Sequence, residues 1–307
     1  MSEGSESSSG MELYHYTTAA GLQGILQKDG IHLWLTRYDC LNDPEEGKHA
    51  LKFCYEVGDQ LAAEGNIDPE LWEIVRKLME VGTYLPGSTP YVCCFSKNPD
   101  SLPMWRYYGK KDGKIGYNIG INDKFLFVPQ SNLKTSKLLS LFENLNSIGS
   151  FYEVIYDDGE KKEKIREEFI QLNHYFIEQR EKIAPENLHN FIASSSLFFR
   201  SYMTGYQACF KDHHFANEEE VRLVVFIPDN DDKIKIKHRV QDGYLVPYVE
   251  LVIPKEQFDF LGITVSPLAE QELAESTTRS FLRSVGYPCE DEEGKSLIRR
   301  SNIPLRF

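Results

Sequence analysis

No apolar run in these 307 residues approaches the ~18 that a membrane span requires, and no basic-then-apolar leader opens the chain. A soluble, cytoplasmic protein is therefore expected. The six cysteines (Cys40, Cys54, Cys93, Cys94, Cys209 and Cys289) contain no C-x-x-C pair, which removes the commonest zinc and redox spacings. Cys93 and Cys94 are adjacent inside an apolar run, and all six are expected to be reduced core thiols. Cations are also scarce. Lys and Arg number 34 against 47 Asp and Glu, a formal charge of −13, which argues against general nucleic-acid binding because phosphate neutralisation needs clustered cations. The densest basic run, 160–168, is interleaved with acids and reads as the solvated face of a helix. No internal repeats occur.

What is present suffices for a large core: 41% of residues are hydrophobic and 12% aromatic. Residues 1–10 are apolar only at Met1 and read as a disordered leader. One domain is expected over 11–287, with a C-terminal tail at 288–307.

Leu13 to Tyr16 is strand-like, and Thr17 or Thr18 can cap a helix running to about Lys28, stopped by Asp29-Gly30. Ile31 to Leu35 alternates as a short strand. Asp43-Pro44-Glu45-Glu46 is a capping-box start for a helix to about Glu64. Asp68-Pro69 starts another, with Trp72, Val75 and Met79 as its buried stripe, broken at Pro86-Gly87. Tyr91 to Ser96 is a strand buried on both faces, and Ser101 to Gly109 a short helical turn. Strands are predicted at 116–121, 125–128 and 151–156, and helices at 160–180 and 185–203. Further strands follow at 206–210, 220–226, 234–240, 244–253 and 261–265, with a last helix from Ser266-Pro267 to about Val285. The order suggests an α+β fold with a mixed or antiparallel sheet and helical insertions near 44–80 and 160–203.

Two places carry candidate chemistry. His15, flanked by Tyr14, Tyr16, Thr17 and Thr18, lies where strand passes into helix; Asn42, Asp43 and Glu46 answer it at the next helix start, where capping alone also accounts for two of them, Asp43 and Glu46. In Glu218-Glu219-Glu220-Val221-Arg222, an extended chain would put Glu218, Glu220 and Arg222 on one face. Arg222 would then keep at least one carboxylate ionised, and an ionised carboxylate beside a sugar can stabilise an oxocarbenium-like centre. The competing reading is a solvent-facing ladder of charge pairs. Cys209, Asp212, His213 and His214 have tolerable spacing for a metal, but the two histidines are neighbours and would point apart in extended chain. No metal is expected, and His213 is placed at the cleft or in the loop before the strand.

Five motifs in order, Leu-Tyr-His-Tyr-Thr-Thr at 13–18, Leu-Asn-Asp-Pro-Glu-Glu at 41–46, Cys-Cys-Phe-Ser at 93–96, Met-Trp-Arg-Tyr-Tyr at 104–108 and Glu-Glu-Glu-Val-Arg at 218–222, resemble the bacterial family catalogued as domain of unknown function 2971. That family looks related to the ADP-ribosyltransferase-like superfamily. The resemblance implies split sheets around a cleft that holds NAD as substrate. It implies cleavage of the nicotinamide–ribose bond with transfer of ADP-ribose to a macromolecule, in the setting of a toxin or antiphage defence effector. His15 would hydrogen-bond the adenosine ribose with Tyr16 and Thr17 beside it, Ser96 would end the strand on the nicotinamide side, and Glu220 would orient the nicotinamide ribose. Glu218 is the alternative for that role. Phe95-Ser96 stands where the superfamily's histidine subgroup usually has a central-strand tyrosine, so the aromatic wall falls to Trp105 or Tyr108. Hydrolysis of NAD, or a nucleotide-binding sensor without catalysis, are the alternatives. An acceptor and an inhibitor or sensor protein are the implied partners.

Overall fold

The computed structural model describes residues 11–41, 48–80, 87–108, 116–122, 148–184, 187–188, 190–192, 194, 203–229, 234–241, 243–267 and 270–304. Asn42, Asp43 and Glu46, the strand expected at 125–128 and the leader lie outside them. Strand β1 (Glu12–Thr18) passes into α1 (Ala19–Ile25) at Thr18, whose hydroxyl accepts from the Gly21 amide at 3.2 Å. The helix stops earlier than expected. Leu26–Gln27 form β2, which folds back on β3 (Gly30–Arg37), so Lys28-Asp29 is a hairpin turn and Gly30 the first strand residue after it.

Helices α2 (Lys48–Glu64) and α3 (Pro69–Glu80) follow, with Asp68 accepting from the Glu70 amide at 2.9 Å to start the second. Then come β4 (Ser88–Ser96), α4 (Leu102–Tyr107), β5 (Gly116–Asn122), β6 (Ile148–Glu153) and α5 (Asp158–Arg180). The described part of 187–194 is helical. Strands β7 (Glu220–Pro228), β8 (Lys237–Gln241), β9 (Tyr244–Pro254) and β10 (Asp259–Val265) lead to α6 (Gln271–Val285) and β11 (Ile298–Arg300).

Two expected elements are corrected. Residues 206–210 are not a strand: 203–207 are helical, and Tyr206 stacks on Phe210 at 5.4 Å one turn on. Met203, Tyr206 and Phe210 recur at helical spacing and are buried with the helices. The last helix begins at Gln271 rather than at Ser266-Pro267.

The eleven strands of the described residues form one largely antiparallel sheet, with β10 and β11 parallel. This is an α+β fold. Its organising feature is β4. One edge pairs along its whole length with β7. The other edge is shared: β1 meets it at Tyr14↔Ser96, and β3 at Thr36↔Val92 and Arg37↔Tyr91. Neither pairs with Cys93, Cys94 or Phe95. From there β1 diverges with β5, β10 and β11, and β3 with β9 and β8, so the sheet splits.

The main apolar core lies along this sheet and under α1 and α6. A second is built by α2, α3 and α5 with the 203–210 segment, so the two expected helical insertions pack on each other. The basic run in α5 is not wholly solvated. Lys161 is fully buried, its ammonium bonded to Asp158 at 2.8 Å and 5.7 Å from the Phe53 ring centre. No helix among the described residues is long and apolar enough to cross a membrane, and the six cysteines are free thiols.

Gly30 opens β3 after the hairpin turn at φ +153°, and a Cβ there would overlap the Ile253 carbonyl oxygen of β9. Backbone on both sides cannot yield cheaply, so Gly30→Ala is expected to cost about 1–3 kcal/mol. A lowered urea midpoint at unchanged slope checks it.

Candidate functional site

A cavity of about 540 Å³ occupies the split, within the roughly 300–1,000 Å³ usual for small-ligand sites. His15, Thr17 and Thr18 of β1, Gly21 and Ile25 of α1, and Leu33, Trp34 and Thr36 of β3 form two walls. Cys93, Cys94 and Phe95, the stretch of β4 left unpaired by both strands, lie between them. His15 spans the gap. Its Nδ1–H donates to the Cys94 carbonyl at 2.9 Å, satisfying an acceptor on an edge where no strand supplies an amide. That bond fixes the tautomer and leaves Nε2 as an acceptor. Burial, helped by the positive charge of Arg239, lowers the His15 pKa and keeps the ring neutral.

On the β7 side, Lys211, Glu218, Glu220 and Arg222 are all buried and all line the cavity. Arg222 donates to both oxygens of Glu220, Nε to Oε1 at 3.0 Å and Nη2 to Oε2 at 2.9 Å, and its Nη1 donates to the Ala208 carbonyl at 2.8 Å. The Lys211 ammonium bridges the two carboxylates, at 2.6 Å from Glu218 and 3.0 Å from Glu220. Tyr108 donates to the other oxygen of Glu218 at 3.2 Å. The amide of Glu220 donates to the Tyr156 hydroxyl at 3.0 Å.

Burial opposes ionisation of Glu220, but the guanidinium of Arg222 and the ammonium of Lys211 outweigh it and hold its pKa at about 2. Glu218 differs: burial dominates and raises its pKa despite Lys211. Burial works against the Lys211 charge, yet Glu220 and Glu218 overcome it and raise its pKa. Burial and then the Glu220 charge raise the neighbouring Cys94 thiol well above its ordinary value, so it stays protonated. Two carboxylates with pKa values displaced in opposite directions suit one to be a fixed anion and the other a proton acceptor.

The expected alternation that joins Glu218, Glu220 and Arg222 is corrected in its cause. Residues 213–218 form a 3-10 turn, and Glu219 takes a left-handed conformation at φ 45° before β7 begins at Glu220. That residue, not a continuous strand, brings Glu218 back to the cavity while Glu219 is exposed and accepts from the Asn98 side chain at 3.0 Å. The charges are buried rather than a solvent-facing ladder.

His15, Tyr16, Thr17, Tyr108, Glu218, Glu220 and Arg222 therefore share one cavity. Ser96 and Trp105 do not line it. Ser96 is buried and accepts from the Asn98 amide at 3.0 Å, and Trp105 is buried edge-on to Tyr16 with its Nε1–H on Asp100 at 2.7 Å. Tyr16 contributes a ring, since its hydroxyl donates to the Asn98 carbonyl and accepts from the Ser101 amide.

His213 is exposed and outside the lining. It does not point away from His214, because the 3-10 turn sets the rings 4.0 Å apart, both beside Asp212. Cys209 is buried with its thiol on the Gly205 carbonyl and does not join them.

Lys211, Trp34, Thr36, Arg239 and Gln241 carry no expectation as site residues from the sequence, and Cys94 only that of a core thiol in the 93–96 motif. Lys211 alone left a signal, a cation seven residues before the acidic run.

Removing one member of a buried ion cluster strands the others, at about 3–5 kcal/mol. Glu220→Gln is expected to cost that much at pH 7. The folded pKa of Glu220 is depressed, so its stabilisation is full above 4.5 and is lost as pH falls toward 2. Urea midpoints of wild type and variant should converge through that window; a gap constant with pH would refute the clamp.

No curated protein and no solved structure matches this chain. A family model described as Protein of unknown function (DUF2971) matches residues 104–223, the stretch that carries Tyr108, Lys211, Glu218, Glu220 and Arg222.

Proposed function

We propose that the cavity binds NAD and that the protein cleaves the nicotinamide–ribose bond, passing ADP-ribose to a macromolecular acceptor. The observation that carries this reading is Glu220, a buried carboxylate kept ionised by Arg222 and Lys211 at the wall of an open cavity. Departure of neutral nicotinamide leaves a cationic ribosyl centre, which a fixed anion stabilises without having to desolvate at that moment. The incoming nucleophile must lose a proton. Glu218, with its pKa raised by burial, is the group suited to take it. Tyr108 and Phe95 supply aromatic surface, and the lone pair of His15 Nε2 an acceptor for a ribose hydroxyl. Water as the acceptor would make the same chemistry NAD hydrolysis. The setting of a toxin or defence effector, with an inhibitor or sensor partner, rests on family analogy alone.

A second reading has its own observation. Both oxygens of Glu220 are already occupied by Arg222 and Lys211, which suits a nucleotide-binding module that does not turn over. Nicotinamide release from NAD, with and without added cell lysate, decides between them. Wild type is expected to release nicotinamide and Glu220→Gln to be about 10²- to 10⁴-fold slower, with label on protein or nucleic acid marking transfer. NAD binding with no release under either condition would replace the enzyme by the sensor.

A further inference from the structure

Across the split from the Glu218–Glu220 cluster, the cavity holds a cation that the chemistry above does not use. Arg239 of β8 reaches over to β3. Its Nη2 donates to Thr36 Oγ1 at 2.8 Å and to Gln241 Oε1 at 3.1 Å, and its Nε to the same Gln241 oxygen at 3.3 Å. Both partners are neutral, and among the described residues no carboxylate pairs with Arg239 and nothing accepts from its Nη1. The guanidinium lies 5.9 Å from the Trp34 ring centre and 5.7 Å from that of Tyr248, two rings stacked on each other at 4.7 Å. These contacts fix a planar cation at a half-buried position without neutralising it.

The charge balance of the lining points the same way. Lys211 and Arg222 are bonded to Glu218 and Glu220, two cations to two carboxylates. Arg239 is a third cation in the same cavity, so the described lining is net positive in a chain whose formal charge is −13. Trp34 also lines the cavity and is 39% exposed, which leaves aromatic surface beside the free guanidinium edge. A half-buried cation with neutral holders and an open edge is complementary to an anionic oxygen, and aromatic surface next to it to a sugar or base.

We propose that Arg239, held by Thr36 and Gln241 against Trp34 and Tyr248, is a phosphate-binding subsite that takes a phosphoryl group of a nucleotide bound in the cavity. The subsite deepens the nucleotide reading above and rests on it, but its test is a binding measurement into which NAD turnover does not enter. The ligand would then lie across the split, with its phosphate on the β3–β8 side and its other end at the β7 carboxylates.

Calorimetry on the full-length protein with inorganic diphosphate, ADP and adenosine tests the subsite. Wild type is expected to bind diphosphate, and to bind ADP at least about 10-fold more tightly than adenosine. Arg239→Gln should lose about 10- to 100-fold for ADP and leave adenosine unchanged. Thr36→Val, which removes one holding oxygen and keeps the charge, should lose about 2- to 10-fold and serves if Arg239→Gln does not fold. Equal affinity of wild type for ADP and adenosine overturns the subsite. So does failure of wild type to bind diphosphate and ADP at all, or full ADP affinity in a folded Arg239→Gln protein. Arg239-dependent diphosphate binding in a protein that releases no nicotinamide would keep the subsite and remove only the catalytic reading.

Discussion

One strand edge cannot hydrogen-bond two strands at the same place. Strands β1 and β3 both approach the same edge of β4, β1 from Ser96 and β3 from Val92, and continued pairing would bring both onto Cys93, Cys94 and Phe95. Each instead leaves with its own partner, β1 with β5 and β3 with β9. The cavity is the space this conflict opens. It also leaves backbone polar groups on β4 without a ladder partner, and the imidazole of His15 answers one of them by donating to the Cys94 carbonyl. The histidine is thus a structural bridge across the split and part of the cavity lining, and its tautomer follows from the first role.

The opposite edge of β4 is paired throughout with β7, and this rigid pair sets the position of the charges. Arg222 is opposite Cys94 and Glu220 opposite Ser96 in the ladder, so both side chains are anchored on a central element with little freedom. Lys211 and Glu218 come from the turn before it and close a ring of four charges in which each carboxylate has at least one cation. Taking four charges out of water costs several kcal/mol per ion unless such pairing is complete. Here Arg222 and Lys211 lower the Glu220 pKa while burial raises that of Glu218, a divergence that a solvent-facing ladder of the same residues would not show.

Much of this was legible in the chain. The alternation of β3, the continuous apolar run of β4 and the Thr18 cap are local signals, because period and capping act over a few residues. His15, Tyr108, Glu218, Glu220 and Arg222 stood out as polar or aromatic groups at element ends. Other features were misread for equally physical reasons. Residues 206–210 have strand-like composition but bury Met203, Tyr206 and Phe210 at helical spacing against α2, α3 and α5, so tertiary packing overrides composition. Ser96 and Trp105 carry the right chemistry but spend it on local structure, Ser96 on the Asn98 amide and Trp105 on Asp100, which no spacing rule reveals.

The sequence by itself determined the α+β class, the residues of the acidic strand start and the histidine at the strand–helix junction, since these depend on neighbours along the chain. Tertiary structure alone decided which of them meet. The left-handed turn at Glu219 returns Glu218 to the cluster, and the pairing of β8 with β9 carries Arg239 to Thr36, 203 positions away in sequence. Contacts of that kind are set by how strands share edges, and strand sharing is a property of the whole sheet rather than of any stretch of it.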